Sequence, residues 1–132
     1  MLPMLLSLTG CDLVGQSCNL MYAPDFLTLE ISGADLSGKV GASVTGDGTT
    51  ISCIILEGEA EASCDDLQSS ASIVDDALTL SLWDFAPDEA ELTVWTADTS
   101  VKPVTVSPTY AEDEPNGEGC GVRRSATEEV AL

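Results

Sequence analysis

The sequence predicts an all-β domain, a small antiparallel β-sandwich of about seven strands. Apolar and polar residues alternate with a period of two in one short segment after another. The segments recur at about 8–12-residue spacing and are divided by Gly, Asp and Pro. No stretch sustains a helical period.

The elements follow in order. Leu27, Leu29 and Ile31 alternate with Thr28 and Glu30, a half-buried strand. Val40, Ala42 and Val44 alternate with Gly41 and Ser43, and Gly46-Asp47-Gly48 then forms a turn. Ile51–Leu56 is continuous enough to read as a central strand. Gly58-Glu59 suits a two-residue type II′ hairpin turn with Gly first, and Ala60–Cys64 is the returning partner. Leu78, Leu80 and Leu82 alternate with Thr79 and Ser81. After a loop over Asp84–Glu89, Ala90, Leu92 and Val94 mark the next strand. Val101–Thr109 carries Pro103 and Pro108, which confines it to an edge or an irregular return. Val122–Leu132 supplies the last strand.

The chain has 132 residues, 44% of them hydrophobic, which is too apolar for a disordered segment. Residues 26–132 read as one domain with one core. Residues 11–25, with Gly, Ser, Asn and Pro and no period, read as a tether. Ahead of them, Met1–Leu8 is an apolar run without charge, far short of the ~20 residues of a membrane-spanning helix. It suits the apolar part of a signal peptide, residues 1–10.

Leu8-Thr9-Gly10-Cys11 resembles the lipobox of bacterial lipoproteins. The resemblance implies cleavage before Cys11 and diacylation of that cysteine. Each buried acyl methylene contributes about 0.8 kcal/mol, and two or more chains give stable anchoring. A leader of this kind opens with positive charge, yet no Lys or Arg precedes Lys39, which points to a start upstream of Met1 or a truncated leader. Asp12 resembles the inner-membrane retention signal of enteric lipoproteins. That rule differs among bacterial groups, so both membranes stay open.

Five cysteines are present: Cys11, Cys18, Cys53, Cys64 and Cys120. Lipid on Cys11 leaves an even set, enough for two disulfides, with three connectivities allowed. The two-residue hairpin loop sets Cys53 opposite Cys64, which favours Cys53–Cys64 and leaves Cys18–Cys120. Zinc fits poorly, because there is no C-x-x-C pair and no histidine. Disulfides fit an exported protein.

The net charge of −19 comes from 23 acidic residues against Lys39, Lys102, Arg123 and Arg124. Such a chain repels phosphate backbones, so nucleic acid is not an expected partner. It also avoids anionic lipid, so membrane attachment falls to Cys11.

Phe26–Thr45, two strands joined by Gly33-Ala34-Asp35-Leu36-Ser37-Gly38, resembles the opening hairpin of transthyretin-like and carboxypeptidase-regulatory-like domains. The ending from Cys120 to Leu132 resembles their closing strand. An immunoglobulin-like sandwich fits nearly as well, although neither Trp83 nor Trp95 lies between Cys53 and Cys64.

Catalysis by Ser or Cys calls for a nearby base, most often His, and none exists. Carboxylate pairs could serve a small hydrolase, but among 23 acids any pair can be chosen. An enzyme is not expected, nor is a cofactor. Acidic loops are the better candidates: Asp65-Asp66, Asp75-Asp76, Glu112-Asp113-Glu114, and above all Asp84, Asp88 and Glu89, where calcium could find oxygen ligands. Trp83 and Trp95 fall off the apolar rows of their strands. Outward rings there could stack on sugar or anchor a partner. The expectation is a non-catalytic envelope module on a lipid anchor, in an oxidising compartment, contacting an envelope protein or a glycan. The alternatives are a calcium-dependent carbohydrate-binding module and the small hydrolase.

Overall fold

The structure is a computed structural model that describes residues 23–97 and 103–132. Its described residues hold ten strands and no helix. In chain order these are β1 (Phe26–Ser32), β2 (Val40–Gly46), β3 (Thr49–Ile55), β4 (Glu61–Ser63), β5 (Ser70–Val74), β6 (Ala77–Trp83), β7 (Ala90–Thr96), β8 (Val104–Val106), β9 (Ala111–Asp113) and β10 (Arg123–Ala131). They form a six-stranded sheet, β9-β10-β1-β6-β5-β4, and a four-stranded sheet, β3-β2-β7-β8. Every pairing is antiparallel except that of β10 with β1.

The core is the sum of the predicted alternations. Leu27, Leu29 and Ile31 of β1 and Leu78, Leu80 and Leu82 of β6 meet Val40, Val44, Leu92 and Val94 of the other sheet, all at most 1% exposed. Each such side chain contributes about 1.5–3 kcal/mol by leaving water. Two Asx-rich turns close hairpins. Asp47 and Gly48 both have positive φ (51° and 76°) between β2 and β3, and Asp75 and Asp76 (51° and 64°) between β5 and β6. This is the type I′ signature, whose twist matches that of paired strands.

The structure departs from the sequence expectation in four places. The strand count is ten, not about seven, because two further short segments pair. Ser70–Val74 lies between β4 and β6, and Ala111–Asp113 lies against β10. Ala111–Asp113 is wholly exposed, and Ser70–Val74 sends only Ala71 and part of Ile73 inward, too short a rhythm to stand out in the sequence. Ile51–Leu56 is not central: β3, ending at Ile55, is the edge of the four-stranded sheet. The turn after it spans Leu56–Glu59, closed by Glu59 N–H donating to Leu56 O at 3.0 Å, with Gly58 in third position at φ 86°. It is not the II′ turn with Gly leading. The chain then changes sheets, so β4 pairs with β5 rather than returning along β3.

At that crossing Cys53 and Cys64 face each other in an isolated antiparallel bridge and are joined by a disulfide, the only one between two described residues. The sequence predicts two; Cys120 of the second predicted pair is also disulfide-bonded, and Cys18, like Cys11, lies outside the described residues. The edge of β3 is closed further by Asp65. Its N–H donates to Ser52 O at 2.9 Å and its Oδ1 accepts from Ser52 N–H at 3.1 Å. Engaging an edge at mid-strand in this way interrupts the row of backbone groups on which another strand would pair.

The chain enters the sandwich at Asp25, which is pinned from two sides. Arg124 N–H donates to Asp25 Oδ1 at 2.8 Å, and Asp84 N–H donates to Asp25 O at 2.8 Å. This near end holds the β2–β3 turn and the loop before β7. The far end holds residues 33–39, the turn after β3 and the β5–β6 turn.

Candidate functional site

The two tryptophans sit in different settings. Trp83 ends β6 at the near end, half-buried, with its ring edge-on to Phe26 (centroids 5.0 Å, planes at 88°). Its backbone N–H donates to Ser69 Oγ at 2.8 Å, and Ser69, 1% exposed, donates in turn to Asp66 Oδ2 at 2.7 Å. Trp83 walls a cleft of about 330 Å³ that also meets Asp47, Asp66, Gln68, Asp84 and Phe85.

Trp95 lies on the outer face of the four-stranded sheet, out of phase with the buried Leu92 and Val94. Its cross-strand partner is Gly41, which pairs on its other side with Ile54. A Cβ at position 41 would run into the indole, so the ring lies across the bare glycine. Gly41 is buried although it points outward, and Ile54 beside it is 45% exposed. An isolated Gly inside a strand pattern signals such an approach. That signal was present between Val40 and Ala42, but the partner could be found only once the register was known.

The next rows of this face are hydroxyls. Ser52, Ser43 and Thr93 lie in register, then Thr50, Thr45 and Glu91. The hydroxyls of Thr45 and Thr50 are 2.8 Å apart and hydrogen-bonded. The outer face of the six-stranded sheet differs, with Glu61, Ser72, Thr79, Glu30 and Glu129 aligned across it.

The predicted acidic loops serve mainly as acceptors within the fold. Asp65 caps β3, and Asp66 accepts from Ser69 N–H at 2.8 Å as well as from its hydroxyl. Asp75 and Asp76 make a turn. Asp113 pairs with Arg123 through two contacts of 3.1 and 2.7 Å. Asp88 meets Arg124 at 3.2 Å, while Asp84 turns at φ 55° into the Trp83 cleft. No group of three or more Asp, Glu, Cys or His that could hold a metal ion forms among the described residues, so Asp84, Asp88 and Glu89 are not gathered into one.

One perturbed group escaped sequence reasoning. Tyr110 donates its hydroxyl to Pro87 O at 2.7 Å under the Arg124 guanidinium, 4.5 Å from its ring centroid. Burial, set against the favourable charge of Arg124, pushes the phenol up to about 12. At the far end, the Ser37 hydroxyl and N–H, 2.7 and 3.0 Å from Asp35 Oδ1, hold that carboxyl below its usual range. No family model matches the chain, and neither the curated proteins nor the solved structures contain a match to it.

Proposed function

We propose that this protein is a non-catalytic module of the bacterial cell envelope, held to a membrane by acyl chains on Cys11 and offering its sandwich to an envelope partner. The observation that carries the reading is the placement of the chain's entrance. Asp25 is fixed at the near end, and three exposed apolar side chains, Ile54, Leu56 and Val74 (45%, 55% and 58%), lie toward the other, while Leu67 and Val122 (79% and 55%) flank the entrance. A tether of residues 11–25 would then present the far end away from the bilayer. Domain-level kinship with transthyretin-like or immunoglobulin-like sandwiches belongs to the same proposal, and two sheets around one core support it.

Carboxylates committed to backbone N–H groups and arginines favour a structural role for the acidic loops over a catalytic one. The test is metabolic labelling with a palmitate analogue in a bacterial host, followed by the intact mass of membrane-extracted protein. A mature chain starting at acylated Cys11, with label and membrane association lost in Cys11→Ala, is the expected result. Unlabelled protein retaining residues 1–10 would end the anchored reading.

A further inference from the structure

We infer that the outer face of the four-stranded sheet is a binding site for a neutral polysaccharide, with Trp95 as the stacking plate and the hydroxyl rows beside it as the polar floor. This deepens the binding-module part of the reading above, and it stands whether or not Cys11 is acylated.

Three observations support it. The first is charge. In a chain of net charge −19 with 23 acids, the three rows over β3, β2 and β7 hold a single carboxylate, Glu91. An anionic ligand would find a single lysine beside these rows, exposed Lys39 just ahead of β2, and no arginine, since Arg123 and Arg124 are both engaged on the six-stranded sheet. A cationic partner would be drawn to the carboxylates elsewhere. A second copy would bring its own like charge to the contact. A ligand with neither sign suits this face best.

The second observation is the ring itself. Trp95 is half-buried, laid across the bare strand that Gly41 leaves, and Ile54 extends the apolar strip. An indole with one side against the sheet offers the other to an apolar surface, and its N–H gives a polar handle. The C–H face of a pyranose is such a surface.

The third is the chemistry alongside. Ser43, Ser52 and Thr93 stand one row from the ring, and the Thr45–Thr50 pair one row further. Hydroxyls both donate and accept, so they can answer sugar hydroxyls of either sense. From the Trp95 row to the Glu91 row is about 13 Å along the strands, room for roughly two or three rings.

The test uses the full chain in mild detergent, run by affinity electrophoresis through gels containing a neutral glucan, a mannan, a galactan or polyanionic dextran sulfate. Retardation by at least one neutral polymer and none by dextran sulfate is expected. Trp95→Ala should weaken it about tenfold or more, as truncation of a central aromatic does. Trp95→Tyr should retain most of it, and Trp83→Ala should leave it unchanged. Each variant's melting curve shows whether it folds. No retardation in any neutral gel, or retardation indifferent to Trp95→Ala, overturns the assignment. So does a dimer in sedimentation that Trp95→Ala dissociates, because the face would then belong to a second copy. Palmitate labelling is read separately, so failure here leaves the anchoring proposal testable on its own.

Discussion

Arg124 lies 4.5 Å over the Tyr110 ring while Tyr110 donates its hydroxyl to Pro87 O at 2.7 Å. The same arginine reaches Asp88 through Nη2 and Ala86 O through Nη1, and its backbone N–H holds Asp25. One residue therefore ties the last long strand to the loop before β7 through its side chain and to the start of β1 through its backbone.

Tyr110 should titrate late and weaken the fold when it does. Its phenol is raised from 10.0 to about 12. A raised acid is stabilising while protonated, so its contribution is complete below pH 10 and is lost as pH climbs toward 12. In a Tyr22→Phe background the tyrosinate absorbance should rise near pH 12 in the native protein and near 10 in denaturant. Tyr110→Phe should cost about 1 kcal/mol in urea melts at pH 7 and remove that part of the alkaline loss. A native midpoint near 10 would contradict the burial of this ring.

The Cys53–Cys64 bridge closes a short loop, 11 residues apart in sequence, where the chain passes between sheets. Both cysteines are 3% exposed. Replacing both with alanine should lower unfolding free energy by about 2–3 kcal/mol, chiefly by freeing the unfolded chain. The urea midpoint should fall, and the far-ultraviolet spectrum should keep its β shape. Unchanged stability would mean that Asp65 and the neighbouring strand pairs alone hold this corner.

Strands with a full apolar row were legible in the sequence because burial writes the period of two directly: Leu27 to Ile31, Leu78 to Leu82, Ala90 to Val94. The Cys53–Cys64 pairing was legible from spacing, although the turn sits one residue earlier than expected and the pair meets in an isolated bridge where the chain changes sheets. The two missed strands are short and carry little of the core: Ala111–Asp113 is held by backbone pairing alone, and Ser70–Val74 adds only Ala71 and part of Ile73 to what its pairing to β6 supplies. In the same way, off-phase indoles were visible, but the glycine under Trp95 became meaningful only through the β2–β7 register.

Ser69 is the buried polar residue most exposed to loss of a partner. Its hydroxyl, 1% exposed, accepts from Trp83 N–H and donates to Asp66. Ser69→Ala removes an acceptor from a backbone donor and a donor from a carboxylate, so it should cost about 1–3 kcal/mol. Asp66→Asn keeps an oxygen for the Ser69 N–H and turns an amide N–H toward the Ser69 hydroxyl, which can accept it, so it should cost less. Equal costs for the two would place the energy in the Asp66 charge instead of the Ser69 bridge. The measurement is urea denaturation, with Trp83 fluorescence read in a Trp95→Phe background.

Gly41 and Trp95 should behave as one unit. A Cβ at position 41 meets the indole, and overpacking of this kind costs about 1–3 kcal/mol when the neighbour cannot move freely. Gly41→Ala should therefore destabilise, and should shift the fluorescence of a Trp83→Phe protein to the red as the ring is pushed into solvent. With Trp95 already shortened, the same change has no ring to meet, and an alanine suits a strand better than a glycine. In Trp95→Ala the Gly41→Ala substitution should be neutral or mildly stabilising. The double-mutant cycle should give a coupling energy of at least about 1 kcal/mol, well above the ~0.5 kcal/mol within which independent sites add. Additive effects would mean the indole does not rest on this glycine, and the outer face would lose its stacking plate along with its explanation for a glycine in mid-strand.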